Sequence, residues 1–225
     1  EPGSNGHPLA MMTRNWDWVF PMGDKPNYEP DLETSVGAQA RAQGRRPEEV
    51  AYDHMMNGGK GDGKFYTTLG NFYEGKLDEL YTLMNDPNIV VGLGDGGAHY
   101  SSICDASYPT FMLTYWARDR KGPKMSLPQV IRQLSGATAE TVQLFDRGKL
   151  VPGYKADVNV IDLDALTLHG PVIRYDLPSN GRRLDQEATG YVATICNGQV
   201  IRRNDQPTEA RPGRVIRGAR ALAAE

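Results

Sequence analysis

The chain has 225 residues, of which 39% are hydrophobic, so it is long enough to bury one sizeable core or two smaller ones. Its charges nearly cancel, with 25 Lys and Arg against 28 Asp and Glu, and its basic residues are not interleaved with aromatic ones, which argues against a nucleic acid or a membrane surface as a partner. No apolar run approaches the roughly 20 residues that a membrane span needs.

The cysteines and the first residues bear on the location and extent of the protein. Cys104 and Cys196 are far apart and have no metal-ligand spacing, so we expect reduced thiols and a cytoplasmic location. The chain begins with Glu1-Pro2-Gly3 rather than with Met. This loop-like start leads us to expect the C-terminal portion of a longer protein.

Two helices are predicted in the first quarter of the chain. Asp31 is the expected cap of a helix that runs to about Gln43 and ends at Gly44. Pro47 suits the first turn of a second helix, which the glycine pair beginning at Gly58 should end.

The next segment predicts a parallel strand pair of an α/β fold. Residues 65–69 are rich in aromatic and β-branched side chains and predict a strand, followed by a helix over about 76–84. Residues 89–93 form a short apolar run, which is typical of a strand covered on both faces. A strand, a helix and a parallel strand imply a right-handed crossover.

Further helices precede a change to β-structure. Pro109 is expected to start a helix that runs through Trp116, while Ser126 and Thr138 are expected to cap two more, and Gly148 ends the last. We therefore predict two domains, residues 1–148 and 149–225.

The second predicted domain has the pattern of β-strands. Residues 157–161 alternate between polar and apolar, and 191–196 are joined to 199–202 by Asn197-Gly198, the strongest short hairpin signal.

Asp95 is the first candidate for chemistry. It follows the predicted strand 89–93, and catalytic groups of α/β folds collect at the C-terminal ends of parallel strands. Gly96 and Gly97 lack a Cβ, so backbone there could approach a metal or a substrate closely. An ordinary glycine-rich turn remains the alternative.

Four further residues are weaker candidates. His99 could bind substrate or metal, but a single loop histidine more often only forms hydrogen bonds. Asn71 and Tyr73 follow strand 65–69 and would lie at the same barrel face as Asp95 if the two strands are parallel neighbours, although both are also common turn residues. Cys104 is expected to be a buried structural thiol rather than a reactive one.

Several stretches resemble the N-acyl-D-amino-acid deacylase branch of the amidohydrolase superfamily. They are residues 94–99 (GDGGAH), 103–110 (ICDASYPT) and 116–120 (WARDR). Residues 148–158 resemble the segment with which amidohydrolases leave the barrel, and 191–200 resemble the final strands of their small β-domain. Residues 16–18 and 28–31 are similar to the stretch before the last barrel strands, so the resemblance covers nearly the whole chain.

The resemblance implies a fold and a reaction. It implies the last strands and helices of a (β/α)₈ TIM-type barrel followed by a small β-sandwich domain. It also implies one or two divalent metal ions, usually zinc, that activate a water for attack on a linear amide. Asp95 matches the family's carboxylate after the eighth strand, so it would bind the metal and act as general base. Asn71, Tyr73, Gly96, Gly97 and His99 are the expected substrate-binding residues.

One departure from the family pattern leaves alternatives open. The family's His-x-His pair and its middle-strand ligands would lie upstream of Glu1, and one carboxylate falls short of the three protein ligands typical of catalytic zinc. The expected partners are an N-acyl amino acid, and a chain that supplies the rest of the barrel or further copies in a homo-oligomer. The alternatives are a cyclic amide or imide hydrolase of the dihydropyrimidinase type, and an incomplete fragment that acts as a scaffold without bound zinc.

Overall fold

A computed structural model describes residues 15–68, 72–93, 99–101 and 103–216. It contains helices together with antiparallel sheets, which is a mixed α and β arrangement. The chain divides into two compact units, of which the first ends at Thr82 and the second begins at Leu83.

In the first unit, two helices follow each other closely. Helix α1 (Val36–Gln43) is capped by Ser35, whose Oγ accepts a hydrogen bond from Ala38 N at 3.1 Å, and it ends at Gly44 with φ of 61°. Helix α2 (Pro47–Met56) begins at its predicted proline and ends before the glycine pair, as predicted.

The predicted Asp31 cap is wrong. Asp31 precedes a 3₁₀ turn (Leu32–Thr34), and its carbonyl, not its carboxylate, accepts hydrogen bonds from Thr34. Ser35 lies closer to the regular helix, and its short side chain reaches the unsatisfied N–H of the first turn. The boundary of the helix therefore shifts by about one turn relative to the sequence pattern.

The strand predicted over residues 65–69 is confirmed with shifted bounds, but it pairs with an earlier strand and not with residues 89–93 as predicted. Strand β1 (Val19–Met22) pairs antiparallel with β2 (Lys64–Thr67), with Val19 opposite Thr67 and Met22 opposite Lys64. The core beside this hairpin contains side chains of both helices and of the hairpin: Val19, Val36, Ala40, Val50, Ala51, Trp16 and Phe65.

The predicted strand over residues 89–93 is wrong. A helix, α3 (Asp78–Met84), precedes this run as expected, but the run itself forms no strand. Ile89 is 38%, Val90 41% and Leu93 37% exposed, so the described chain does not cover the apolar run on both faces. The parallel pair and crossover predicted from it are likewise not formed among the described residues.

The second unit begins its helical part at α4 (Tyr108–Phe111), which continues without a break into a π-helix (Met112–Asp119). Helix α5 (Leu127–Leu134) follows the predicted Ser126 and packs against the π-helix. Trp116 is buried, and the guanidinium of buried Arg120 lies 4.8 Å from its ring centroid. This cation–π contact closes the C-terminal end of the π-helix.

Thr138 is not a cap, which corrects the prediction. It lies inside helix α6 (Gly136–Thr141), and its hydroxyl donates to the carbonyl of Ser135 at 2.9 Å. Gly148 packs against the start of this helix with φ of 82°, where a Cβ would lie 2.9 Å from the Ser135 carbonyl oxygen. The position therefore requires glycine for conformation and for space.

After Gly148 the described chain is mainly β-structure, as the sequence pattern indicates. The strands are β3 (Val158–Ile161), β4 (Thr167–Leu168), β5 (Val172–Leu177), β6 (Gly181–Asp185), β7 (Ala188–Thr189), β8 (Tyr191–Cys196), β9 (Gln199–Arg203) and β10 (Gln206–Pro207). One antiparallel sheet has the order β10-β9-β8-β3, β5 and β6 form a hairpin, and β4 pairs with β7 on either side of that hairpin in the chain.

The predicted Asn197-Gly198 hairpin is confirmed. Both residues have positive φ, 48° and 78°, as a two-residue hairpin turn of this kind requires. It joins β8 to β9 with Cys196 opposite Gln199.

Candidate active site

Four of the predicted site residues lie outside the described residues: Asp95, Gly96, Gly97 and Asn71. Their assigned roles stay predictions. The other two predicted residues, Tyr73 and His99, are described and belong to the first and second unit respectively.

Tyr73 lies in a tight turn. Its N–H donates to the carbonyl of Lys76 at 3.0 Å, and Lys76 N donates back to Tyr73 O at 2.8 Å. Glu74 and Gly75 between them have positive φ. The tyrosine side chain is 61% exposed, while neighbouring Phe72 is buried and makes an edge contact with Phe20 at 5.8 Å between ring centroids. The buried phenylalanine thus anchors a turn that presents Tyr73 to solvent.

His99 starts a second turn. Its φ is 52°, and its carbonyl accepts a hydrogen bond from Ile103 N at 2.9 Å. The next residue, Tyr100, accepts a hydrogen bond through its carbonyl from Leu184 N at 2.7 Å. Tyr100, directly after the GDGGAH motif, is therefore hydrogen-bonded to strand β6.

A cleft of about 230 Å³ lies between the segment that follows the GDGGAH motif and the end of β6 together with the residues that follow it. Its less polar lining consists of Cys104, Ala106, Leu184 and Ala188. Its polar lining consists of Tyr100, Ser107, Thr110, Asp185 and Gln186.

Gln186 connects the two walls of the cleft. Its Oε1 accepts a hydrogen bond from Ser107 Oγ at 2.6 Å and a long, weak one from Cys104 Sγ at 4.0 Å. Its Nε2 donates to the carbonyl of His169 at 2.8 Å. Both ends of the amide are thus engaged, which fixes its orientation.

Asp185 is held by two arginines. Arg183 Nη1 lies 2.7 Å from one carboxylate oxygen, and Arg174 Nε lies 2.5 Å from the other. Arg183 also donates to both oxygens of Asp176 at 2.8 Å, and this hydrogen bonding lowers the pKa of Asp176 and raises the pKa of Arg183. Arg174 in turn contacts Glu187.

Cys104 faces the cleft as a protonated thiol. Burial raises the pKa of the Cys104 thiol, and the nearby carboxylates of Asp105 and Asp185 raise it further. A thiol in this electrostatic environment is a poor nucleophile, because the thiolate is the reactive form.

Sequence reasoning missed the cleft. Cys104 and Ser107 lie in the stretch 103–110 that carries the resemblance, but their partner Gln186 is about 80 residues further along the chain. No periodicity or spacing signals a pairing at that distance.

The described side chains do not by themselves supply a metal site. Among residues 15–68, 72–93, 99–101 and 103–216, no three His, Cys, Asp or Glu side chains converge to hold an ion. Both oxygens of Asp185, the carboxylate that lines the cleft, are engaged by arginines. The described donors alone are too few to hold zinc, and the carboxylate predicted to bind it, Asp95, lies outside them.

The chain was compared with known proteins. A model of the amidohydrolase family matches residues 33–202, which is well over half of the chain and includes Asp95 and every residue of the cleft. The chain therefore belongs to the amidohydrolase family, and this membership indicates a hydrolase. Searches of the curated proteins and of the solved structures found no match.

None of the helices in the described part of the chain is both long enough and apolar enough to span a membrane.

Proposed function

We propose that this protein is a metal-dependent amidohydrolase that cleaves linear amides of N-acylated D-amino acids. The observation that carries the proposal is the family match over residues 33–202. The substrate class rests on the resemblance of residues 94–99, 103–110 and 116–120 to the deacylase branch. The last part of a (β/α)₈ barrel, a β-sandwich and a domain boundary near Gly148 belong to the same proposal.

Asp95 is the proposed metal ligand and general base. A positioned base typically contributes a factor of about 10² to 10⁴ in rate. Zinc is the proposed metal, and when bound it would supply an activated water at neutral pH. Asn71, Tyr73, Gly96, Gly97 and His99 are proposed to contact the substrate.

The proposal includes a cellular location and two kinds of partner. Cys104 and Cys196 are both free thiols, which supports a reducing, cytoplasmic location. The proposed small-molecule partner is the N-acyl amino acid, and the proposed macromolecular partner is a further chain that completes the barrel, either a different one or another copy.

The experiment is hydrolysis by the natively produced protein. N-acetyl-D-methionine, N-acetyl-L-methionine and dihydrouracil are compared at equal concentration with zinc present. We expect release of D-methionine and a much slower reaction with the L-enantiomer. Preferred opening of dihydrouracil would contradict the deacylase assignment in favour of a cyclic amide hydrolase, and no hydrolysis of any substrate would favour a scaffold.

An isosteric substitution tests Asp95. Asp95→Asn keeps the shape but removes the base, so we expect kcat to fall by about 10² to 10⁴. Asp24→Asn, which changes an exposed carboxyl of the first unit, is the control and should leave kcat unchanged. Near wild-type activity in a folded Asp95→Asn protein would rule out the role assigned to Asp95.

A further inference from the structure

The cleft bounded by Tyr100 and Gln186 has no part in the chemistry assigned to Asp95. Its size suggests a subsite, because about 230 Å³ is below the roughly 300–1,000 Å³ of complete small-molecule pockets. A space of this volume accommodates one portion of a ligand rather than all of it.

The cleft is close to the proposed catalytic carboxylate along the chain. Tyr100 follows Asp95 by five residues, and five residues span at most about 18 Å even when fully extended. The left-handed turn at His99 shortens this reach further. Tyr100, in the cleft wall, therefore lies no more than about 18 Å along the chain from Asp95.

The charges at the cleft exclude anions. The guanidinium groups of Arg174 and Arg183 are already engaged by Asp176, Asp185 and Glu187, so three carboxylates face two cations. The Asp105 side chain adds a further negative charge close to Cys104. An incoming carboxylate would meet repulsion and would find no unpaired guanidinium.

The remaining lining suits an uncharged group. Both oxygens of Asp185 are occupied by arginines, so a cationic ligand would have to displace one of them. The protonated Cys104 thiol, Ala188 and Leu184 provide apolar surface, and the hydroxyls of Ser107 and Thr110 add neutral polar edges.

We propose that this cleft is the subsite for an uncharged portion of the amide substrate, either the amino-acid side chain or a short acyl chain. The inference rests on the proposed function, because it assigns the cleft to the substrate of that reaction. It attributes the selectivity of the enzyme against acidic substrates to the carboxylates of Asp105 and Asp185 near this cleft.

Cysteine alkylation tests the subsite without relying on turnover. In a Cys196→Ser protein, iodoacetamide modifies Cys104 alone, at alkaline pH because burial raises the pKa of its thiol. A labelling pulse too short to consume ligand is followed by mass spectrometry. At ten times its Kd, an occupying ligand should slow the modification about tenfold, because only the free protein reacts.

Three ligands separate the alternatives. We expect N-acetyl-D-methionine to protect if the side chain enters, N-hexanoyl-D-alanine to protect if the acyl chain enters, and N-acetyl-D-glutamate to protect in neither case. Absence of protection by both N-acetyl-D-methionine and N-hexanoyl-D-alanine, whose side chains and acyl chains are uncharged, or equal protection by the glutamate derivative, would overturn the proposal.

The matched control is Cys104→Ser, which leaves Cys196 as the reactive thiol. Its alkylation should be unaffected by the ligands, and slowing there as well would mean general tightening of the protein and would overturn the subsite. Protection of Cys104 without hydrolysis supports the subsite while contradicting the proposed reaction. Hydrolysis of N-acetyl-D-methionine and N-hexanoyl-D-alanine without protection by either overturns the subsite alone.

Discussion

At the scale of single residues, positions distant in sequence decide local geometry. Gln186 holds Ser107 and the carbonyl of His169 at once, so its amide joins three separate parts of the second unit. In the first unit, Gly37 occupies the contact between helix α1 and the 3₁₀ turn that contains Asp17. Each position tolerates little change because its neighbours are fixed by other contacts.

Gly37→Ala tests the close contact. Alanine normally favours a helix by about 1 kcal/mol over glycine. Here its Cβ would overlap Asp17 Oδ1 and lie 3.0 Å from the backbone nitrogen of Asp17. Because Asp17 is paired with Arg41 at 2.7 Å, we expect the clash to win and to lower the free energy of unfolding by about 1–2 kcal/mol.

Urea denaturation measures this change. The control is Gly23→Ala, because a Cβ at Gly23 meets nothing within 4 Å. It should change the free energy of unfolding by less than about 0.5 kcal/mol. A stabilised Gly37→Ala protein would mean that helix propensity outweighs the contact.

At the scale of elements, the β5–β6 hairpin contains an unfavourable pair that other charges offset. Arg174 lies directly opposite Arg183, and like charges in that position destabilise a sheet. The carboxylates of Asp176 and Asp185 lie against these guanidinium groups and compensate the repulsion. The stability of the hairpin should therefore depend on carboxylate ionisation.

The pH dependence has a definite sign. Hydrogen bonding from Arg183 lowers the pKa of Asp176 below its ordinary value of 3.8. A carboxyl whose pKa is lower in the folded state stabilises the fold above its unfolded pKa, and this contribution is lost as the pH falls through the folded pKa. We expect the Asp176 carboxyl carbon to titrate below 3.8 in an NMR experiment.

Two arginine substitutions distinguish the effect of the Arg183–Asp176 hydrogen bonds on the pKa of Asp176 from the effect of the overall positive charge nearby. Arg183→Gln should move the titration midpoint of Asp176 up toward 3.8. Arg182→Gln removes the same charge from the neighbouring exposed position and should leave the midpoint nearly unchanged. Equal shifts in the two proteins would show that a diffuse field, not the hydrogen-bonded pair, sets the pKa.

At the scale of the whole molecule, family membership indicates a hydrolase, whereas the described side chains do not supply the metal site that the proposed reaction needs. Residues 33–202 match the amidohydrolase family, while the described side chains form no cluster of three metal ligands. The proposed function therefore depends on Asp95 and on donors other than those described. Metal content is the property of the native protein that tests this requirement.

Metal removal gives the corresponding prediction. We expect the natively isolated protein to contain zinc by elemental analysis and to lose hydrolysis of N-acetyl-D-methionine after treatment with a chelator. Loss of a bound ion should also lower the thermal midpoint, since a ligand at 1,000 times its Kd stabilises by about 4 kcal/mol. Added zinc should restore both properties.

The control for metal removal is the same chelator saturated with zinc beforehand, which should have no effect. Full activity in a sample shown to be free of metal would contradict the proposed mechanism.

Local sequence features predicted some helix ends and one hairpin correctly, but not the caps assigned to Asp31 and Thr138. Gly44 and Pro47 mark helix ends because their backbone preferences act within one turn, and Asn197-Gly198 specifies a hairpin because both residues accept positive φ. The strand predicted over residues 89–93 is wrong because an apolar run indicates burial but does not specify which other residues pack against it. In the described chain, Ile89, Val90 and Leu93 of this run are exposed.

The sequence by itself determined the amidohydrolase family, the helix ends at Gly44 and Pro47, the Asn197-Gly198 hairpin and the candidate Asp95, because these depend on motifs and on neighbouring residues. Only the tertiary structure decided that β2 pairs antiparallel with β1, and that Cys104 and Ser107 meet Gln186 across a cleft. Such contacts depend on packing and charge among residues that are far apart in the chain. Local sequence patterns reflect only neighbouring residues, so they do not predict these distant partners.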